Sequence, residues 1–297
     1  MIRLLFLVTG IIVLSQSSHA IEFNKYHNLK FIQKYLTEVA ERYDHISYKY
    51  LGRSVMGREI GLLEMTKSKS RNAPVIYINS THHGNEQSAT EAALGIIDYF
   101  ARFHDRPNIN RFLKRYRILI HPVVNPDGFV KGSRFAVGGI DPNRDYPHPR
   151  NNEGTFRLPE TRLVSKVLAE NRVVGSLTLH SGIEAILWPW CFSDKKSPHE
   201  WEFKTIGRAV AETMGIKLFI QSYHDYQSEG EYIDYAYMKY GTYALTVEVD
   251  GVPKAKAEKL PEIVRKSVAG TIAFIQSLDQ ILLRNEVPKR KEISTAH

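Results

Sequence analysis

The chain has 297 residues, a formal charge of +8 and a single cysteine. That length supports one large domain with a substantial core. A lone Cys191 excludes an intrachain disulfide framework, and no recognition motif accompanies the positive charge, which argues against nucleic acid as partner.

The chain opens with one early cation, Arg3, an apolar run over residues 4–14 and the small-x-small sequence Ser18-His19-Ala20. This predicts a secretory signal peptide over residues 1–20, and so a periplasmic or secreted protein. The run is too short to span a bilayer, so no stable membrane insertion is expected after cleavage. With no linker, repeat or low-complexity stretch, residues 21–285 read as one domain, and residues 286–297, which contain Pro288-Lys289-Arg290-Lys291, as a basic flexible tail. A basic exported protein suits an anionic envelope polymer or acidic peptides, although the charge also fits plain solvated surface.

Leu29, Ile32, Leu36, Val39 and Tyr43 recur at helical spacing. Apolar runs over residues 60–65, 74–79, 118–124, 173–179 and 243–249 read as strands. Helical patterns over 86–103, 158–170, 200–214 and 256–283, the last with room for a break, separate several of them. The alternation predicts an α/β fold, a mostly mixed or parallel twisted sheet flanked by helices. In such sheets ligands bind beyond the carboxyl ends of the strands.

Three residues capable of chemistry fall at those ends. His83, in His83-Gly84-Asn85-Glu86, lies just beyond one strand, His180 ends another and Glu248 lies near the end of a third. His83 and Glu86, three apart, share one face of a first helical turn, and Gly84 allows close backbone approach. Alternation puts Glu248 on an interior strand, where an unpaired carboxylate is costly and needs a metal, a cation or a raised pKa. Two imidazoles and a coordinating carboxylate suit a hydrolytic zinc site, with a second carboxylate as base. Each piece alone is weak: with 12 His in the chain, about one H-x-x-E is expected by chance. His82 competes with His83, and Cys191, amid Trp188-Pro189-Trp190-Cys191-Phe192, reads as a buried inert thiol.

Seven features occur together in family order: Leu51-Gly52-Arg53-Ser54 with Gly57-Arg58, His83-Gly84-Asn85-Glu86, Asn125-Pro126-Asp127-Gly128, Asp141-Pro142-Asn143-Arg144, Leu179-His180-Ser181, Tyr226 and Glu248. On these the mature chain resembles the zinc carboxypeptidases similar to carboxypeptidase A. The resemblance implies one zinc ion per chain, held by His83, Glu86 and His180, with Asp141 orienting His83. It implies Glu248 as base and proton shuttle, and Asn143 and Arg144 as the grip on a free C-terminal carboxylate. Arg134 would stabilise the oxyanion, Tyr226 would close over the substrate, and Ile233 would set side-chain preference, whereas Glu229 and Glu231 nearby would attract an amino group. Pro142 and Asp145 depart from the family pattern, and a negative Asp145 beside the carboxylate pocket would favour an ammonium-bearing ligand.

The short Gly132-Ser133-Arg134 connection is similar to that of bacterial murein peptide amidases, which cut between γ-D-glutamate and a diamino acid. The expected function is therefore a zinc metallocarboxypeptidase acting on a peptide or muropeptide, with peptidoglycan stem peptides as substrate. One rival is an N-acyl amino acid deacylase similar to the aspartoacylases, which share the His-Gly-Asn-Glu sequence and an Asn-Arg pair. The other is a peptide-binding protein that keeps the fold without the chemistry.

Overall fold

The structure, a computed structural model, describes residues 20–149 and 155–286. The expected signal peptide and basic tail thus lie outside the described residues, apart from Ala20 and Glu286. Among the described residues no helix is long and apolar enough to cross a membrane.

The elements run α1 (Leu29–Arg42), β1 (Ile46–Arg53), β2 (Glu59–Met65), β3 (Val75–Ser80), α2 (Gln87–Arg102), α3 (Pro107–Arg115), β4 (Arg117–His121), α4 (Pro126–Lys131), α5 (Pro159–Glu170), β5 (Val173–His180), β6 (Glu184–Trp188), α6 (Glu200–Met214), β7 (Leu218–Gln221), α7 (Ser222–Asp225), α8 (Tyr232–Tyr240), β8 (Tyr243–Val249) and α9 (Leu260–Glu286). One eight-stranded sheet has the order β1-β2-β4-β3-β5-β8-β6-β7. Its centre, β4-β3-β5-β8, is parallel, while β2 and β6 flank it antiparallel.

All six residues of β3 are buried, as befits a central strand covered on both faces. Alternation sends Ile76 and Ile78 into a core shared with α1, α2, α6 and α9, and Val75 and Tyr77 into a second core under α5 and α8. Gly175 lets α9 press onto β5: a Cβ there would lie 2.3 Å from Leu278 Cδ2. The expected break in the last helix falls before it, at a 3₁₀ turn over Ala257–Lys259, and α9 then runs unbroken.

Two of the separated sequence features prove to hold each other. Asn125 caps α4 by accepting from Gly128 N at 2.8 Å. Asp127 behind it accepts from Ser54 Oγ at 2.8 Å, Met56 N at 2.9 Å and Arg58 Nη1 at 2.7 Å. The turn between β1 and β2 is thereby fastened beside the carboxyl ends of the parallel strands.

Candidate active site

The β3 strand leaves the sheet through Thr81, a β-branched residue at φ 62°. This uncommon conformation is held by the Thr81 hydroxyl, 2.6 Å from Thr90 Oγ1 and 3.1 Å from Pro122 O. His83 follows, and Glu86 closes a turn onto it, its N donating to His83 O at 3.1 Å. The pair therefore occupies the turn leading into α2 rather than the helix's first turn, with Glu86 as N-cap residue. Gly84 is indispensable: a Cβ there would stand 2.0 Å from the Gly128 carbonyl carbon, against backbone that cannot move aside.

Glu86 does not cap its helix; its carboxylate turns to the sheet edge. Oε1 lies 2.6 Å from His83 Nδ1, Oε2 lies 2.8 Å from His180 Nδ1, and Ser181 N donates to Oε2 at 3.2 Å. Among the described residues these three side chains are the one His, Cys, Asp and Glu group arranged to hold a metal ion. Two ring nitrogens and a carboxylate, all buried, are the donor set zinc takes in hydrolytic sites. His82 does not compete: its Nε2 is 2.8 Å from Tyr146 OH, and its ring lies parallel to that of His180 at 5.8 Å, on the core side.

Asp141 holds the far nitrogen of His83, with Oδ1 3.0 Å from Nε2. Its other oxygen accepts from Arg134 Nε at 3.1 Å and faces Arg134 Nη2 at 3.0 Å. Despite burial, His83 and the guanidiniums of Arg134 and Arg144 hold Asp141 well below the usual carboxylate range. Despite burial too, His180 and His83 hold Glu86 low. Both therefore stay anionic near neutrality.

Glu248 is the exception. It stands opposite His180 in the β5–β8 register, and its Oε2 is buried without a hydrogen-bond partner. Burial pushes its pKa up to about 8; His180 opposes the shift and the negative charge of Glu86 adds to it. A carboxyl so placed can take and return a proton near neutrality.

The residues expected to grip a carboxylate lie on the 3₁₀ turn Pro142–Arg144. Asn143 spends its carbonyl oxygen on Tyr232 N at 3.0 Å, which leaves its amide nitrogen for a ligand. Arg144 is braced by Nη1 donating to Asn143 O at 2.7 Å, and the same atom is 3.2 Å from Glu231 Oε1. Tyr226, 66% exposed at the rim, sets its ring 5.9 Å from the Arg144 guanidinium. All these groups line one cavity of about 590 Å³.

Two expected contributors are elsewhere. Ile233 is 1% exposed and packed in the core under α8 with Tyr77 and Leu62, off the cavity wall. Asp145 is buried behind the grip and accepts from Arg157 N at 3.0 Å, Leu158 N at 3.1 Å and Thr161 Oγ1 at 2.5 Å. It pins the start of α5 and presents no charge to the cavity. The wall is completed instead by Phe135, Leu187, Ser222, Asp225, Glu231 and Thr246. Leu187 and Ser222 come from the short elements β6 and α7, which residue periodicity does not expose.

The profile described as zinc carboxypeptidase matches residues 32–270. Carboxypeptidase M of Mus musculus is 25% identical over 87% of this chain and 67% of its own length, and carboxypeptidase SOL1 of Arabidopsis thaliana is 24% identical over 82% and 55%. The chain thus spans only part of these relatives. The carboxypeptidase A structure from Helicoverpa armigera superposes with a TM-score of 0.80 at 19% identity, covering 88% of this chain and 75% of its own. A metallo-carboxypeptidase from Pseudomonas aeruginosa, in complex with (2-guanidinoethylmercapto)succinic acid, gives a TM-score of 0.62 at 18% identity, covering 83% and 68%. These two likenesses establish the shared fold. With the profile spanning most of the chain and His83, Glu86 and His180 assembled as its metal-binding group, the protein belongs to the zinc carboxypeptidase family.

Proposed function

We propose that this carboxypeptidase is exported and releases the terminal diamino acid from peptidoglycan stem peptides, cutting the γ-D-glutamyl bond. The observation that carries the substrate reading is the character of the cavity wall. Against two apolar residues, Phe135 and Leu187, the wall offers Ser222, Asp225, Glu231 and Thr246 beside the carboxylate-gripping Arg144, so it is mainly polar and acidic. A terminal residue with a second amino group suits such a wall. The signal-like residues 1–20 support export.

Bound by His83, Glu86 and His180, zinc supplies Lewis acidity to the scissile carbonyl and its attacking water. Asn143 and Arg144 hold the terminal carboxylate and thereby fix which bond reaches the metal. Arg134, oriented by Asp141, aims its guanidinium at the developing oxyanion. Glu248 takes the proton from water and delivers it to the leaving amine. Tyr226 covers the bound end of the substrate.

Mass spectrometry of zinc-loaded protein with γ-D-glutamyl-diaminopimelate muropeptides tests this. Chelator-sensitive loss of diaminopimelate is the expected result. Loss of residues from ordinary peptides alone would replace the wall substrate with cationic peptide ends. The Pseudomonas aeruginosa neighbour's ligand, which joins carboxylates to a guanidino group, favours that second reading.

A further inference from the structure

We propose that Tyr26 is a positioning residue for the metal site: its hydroxyl clasps the loop over residues 250–255 to α2, and that loop fastens the two turns from which Glu86 and His180 reach the metal. This role belongs to the zinc site alone and is the same whichever peptide is cut.

The carboxylate of Glu86 is turned to His83 and His180, so α2 has no side-chain cap at its N-terminus. An uncapped helix start leaves backbone N–H groups that need acceptors from elsewhere. The carbonyl of Pro253, on the loop that follows β8, supplies one: it accepts from Ser88 N at 3.4 Å and from Ser181 Oγ at 2.7 Å. Ser88 lies two residues past Glu86 and Ser181 directly follows His180, so a single carbonyl joins the backbones that carry two metal ligands. Gly182 N, donating to Asp250 O at 3.0 Å, adds a second tie between the His180 turn and the same loop.

Pro253 is held there by a closed ring of hydrogen bonds beside it. Tyr26 OH donates to Ala255 O at 2.8 Å, Ala255 N donates to Ser88 Oγ at 2.9 Å, and Ser88 Oγ lies 3.0 Å from Tyr26 OH. Because the one Tyr26 proton goes to Ala255, Ser88 is the donor in the third bond, and each hydroxyl both donates and accepts. The neighbouring His27 anchors Tyr26 to α2: it is buried and meets the Glu91 carboxylate through N at 2.7 Å and Nδ1 at 2.8 Å. Lys254 Nζ lies over the Tyr26 ring, 4.7 Å from its centroid. Without the Tyr26 hydroxyl, Ala255 O loses its donor and the Ser88 hydroxyl its acceptor, both on buried residues. That cost is relieved when the loop lifts towards water, which draws Pro253 O away from both ligand-bearing turns.

Tyr26→Phe keeps the ring and its contact with Lys254 and removes only the clasp. Its zinc affinity, read by chelator competition, is expected to fall about 5–10-fold, and the visible absorption of the cobalt-loaded protein to change with the altered ligand geometry. Tyr35→Phe is the control, since that hydroxyl reaches α2 towards its far end, at Asp98 Oδ1 3.4 Å away. It is expected to leave zinc affinity and the cobalt spectrum as in wild type, whatever it does to the melting temperature. Ser181→Ala cuts the same connection at its other end, so combining it with Tyr26→Phe is expected to weaken zinc by less than the product of the two single losses. A Tyr26→Phe protein with a lowered melting temperature but wild-type zinc affinity and cobalt spectrum would overturn the proposal, because Tyr26 would then be merely structural. So would single losses that multiply in the double variant, or an equal loss of affinity in Tyr35→Phe.

Discussion

His180 and Glu248 stand opposite one another at the carboxyl ends of two adjacent parallel strands. The pairing sets a metal ligand beside a carboxyl whose pKa burial pushes up to about 8. A slip of one residue in this register would turn Glu248 to the opposite face of the sheet.

The role of this pair leads to the first prediction. Glu248→Gln keeps the shape of the side chain and removes its capacity to accept a proton. Turnover is expected to fall by roughly 10³-fold or more, with zinc content unchanged by metal analysis. A variant that retained wild-type turnover would eliminate Glu248 from the chemistry.

The same residue predicts a pH effect on the zinc-free protein. The Glu248 pKa is raised from 4.5 to about 8, so the folded state favours the protonated form. The stabilisation is complete below the unfolded value and is lost as pH rises through about 8. Chelated wild type is therefore expected to lose ~2–4 kcal/mol relative to chelated Glu248→Gln between pH 5 and 8. Thermal unfolding of both across that range reads it as a gap that widens by roughly 5–10 °C, and a constant gap would contradict the burial argument.

The zinc donors and the parallel sheet were legible because each rests on a local signal: an apolar run, followed by a His or Glu at its end. His83, His180 and Glu248 needed only that ordering. The composition of the cavity wall was not legible. The family resemblance puts Ile233 at the preference position, but α8 begins at Tyr232, and the helix turns Ile233 into the core while leaving Glu231, just before the helix, on the cavity wall. Asp145 misled similarly, since its charge is visible in the sequence whereas its donors, on residues 157–161, become neighbours only through tertiary folding. β1, β6, β7, α3, α4, α7 and α8 escaped because they are short or lack clean periodicity, and their packing rather than their propensity holds them.

Asp141 links the metal site to Arg134, because one oxygen holds His83 Nε2 and the other holds the guanidinium. Asp141→Asn keeps the size but weakens both contacts. Zinc affinity, measured by chelator competition, is expected to drop ~10–100-fold, with kcat falling even at saturating zinc because Arg134 is no longer held. Unchanged affinity would show that His83 is oriented without Asp141.

Ile233 and Glu231 lie two residues apart, Ile233 in the core and Glu231 on the cavity wall. Ile233 belongs to the same buried core cluster as Tyr77 and Leu62, so Ile233→Ala removes buried methyl groups and opens a cavity in the core. A loss of ~2–5 kcal/mol in unfolding free energy is expected, measurable by denaturant titration. The preference between lysine and norleucine ends is expected to stay as in wild type, because no atom of the cavity wall changes. A shifted preference with little loss of stability would return the selecting role to Ile233.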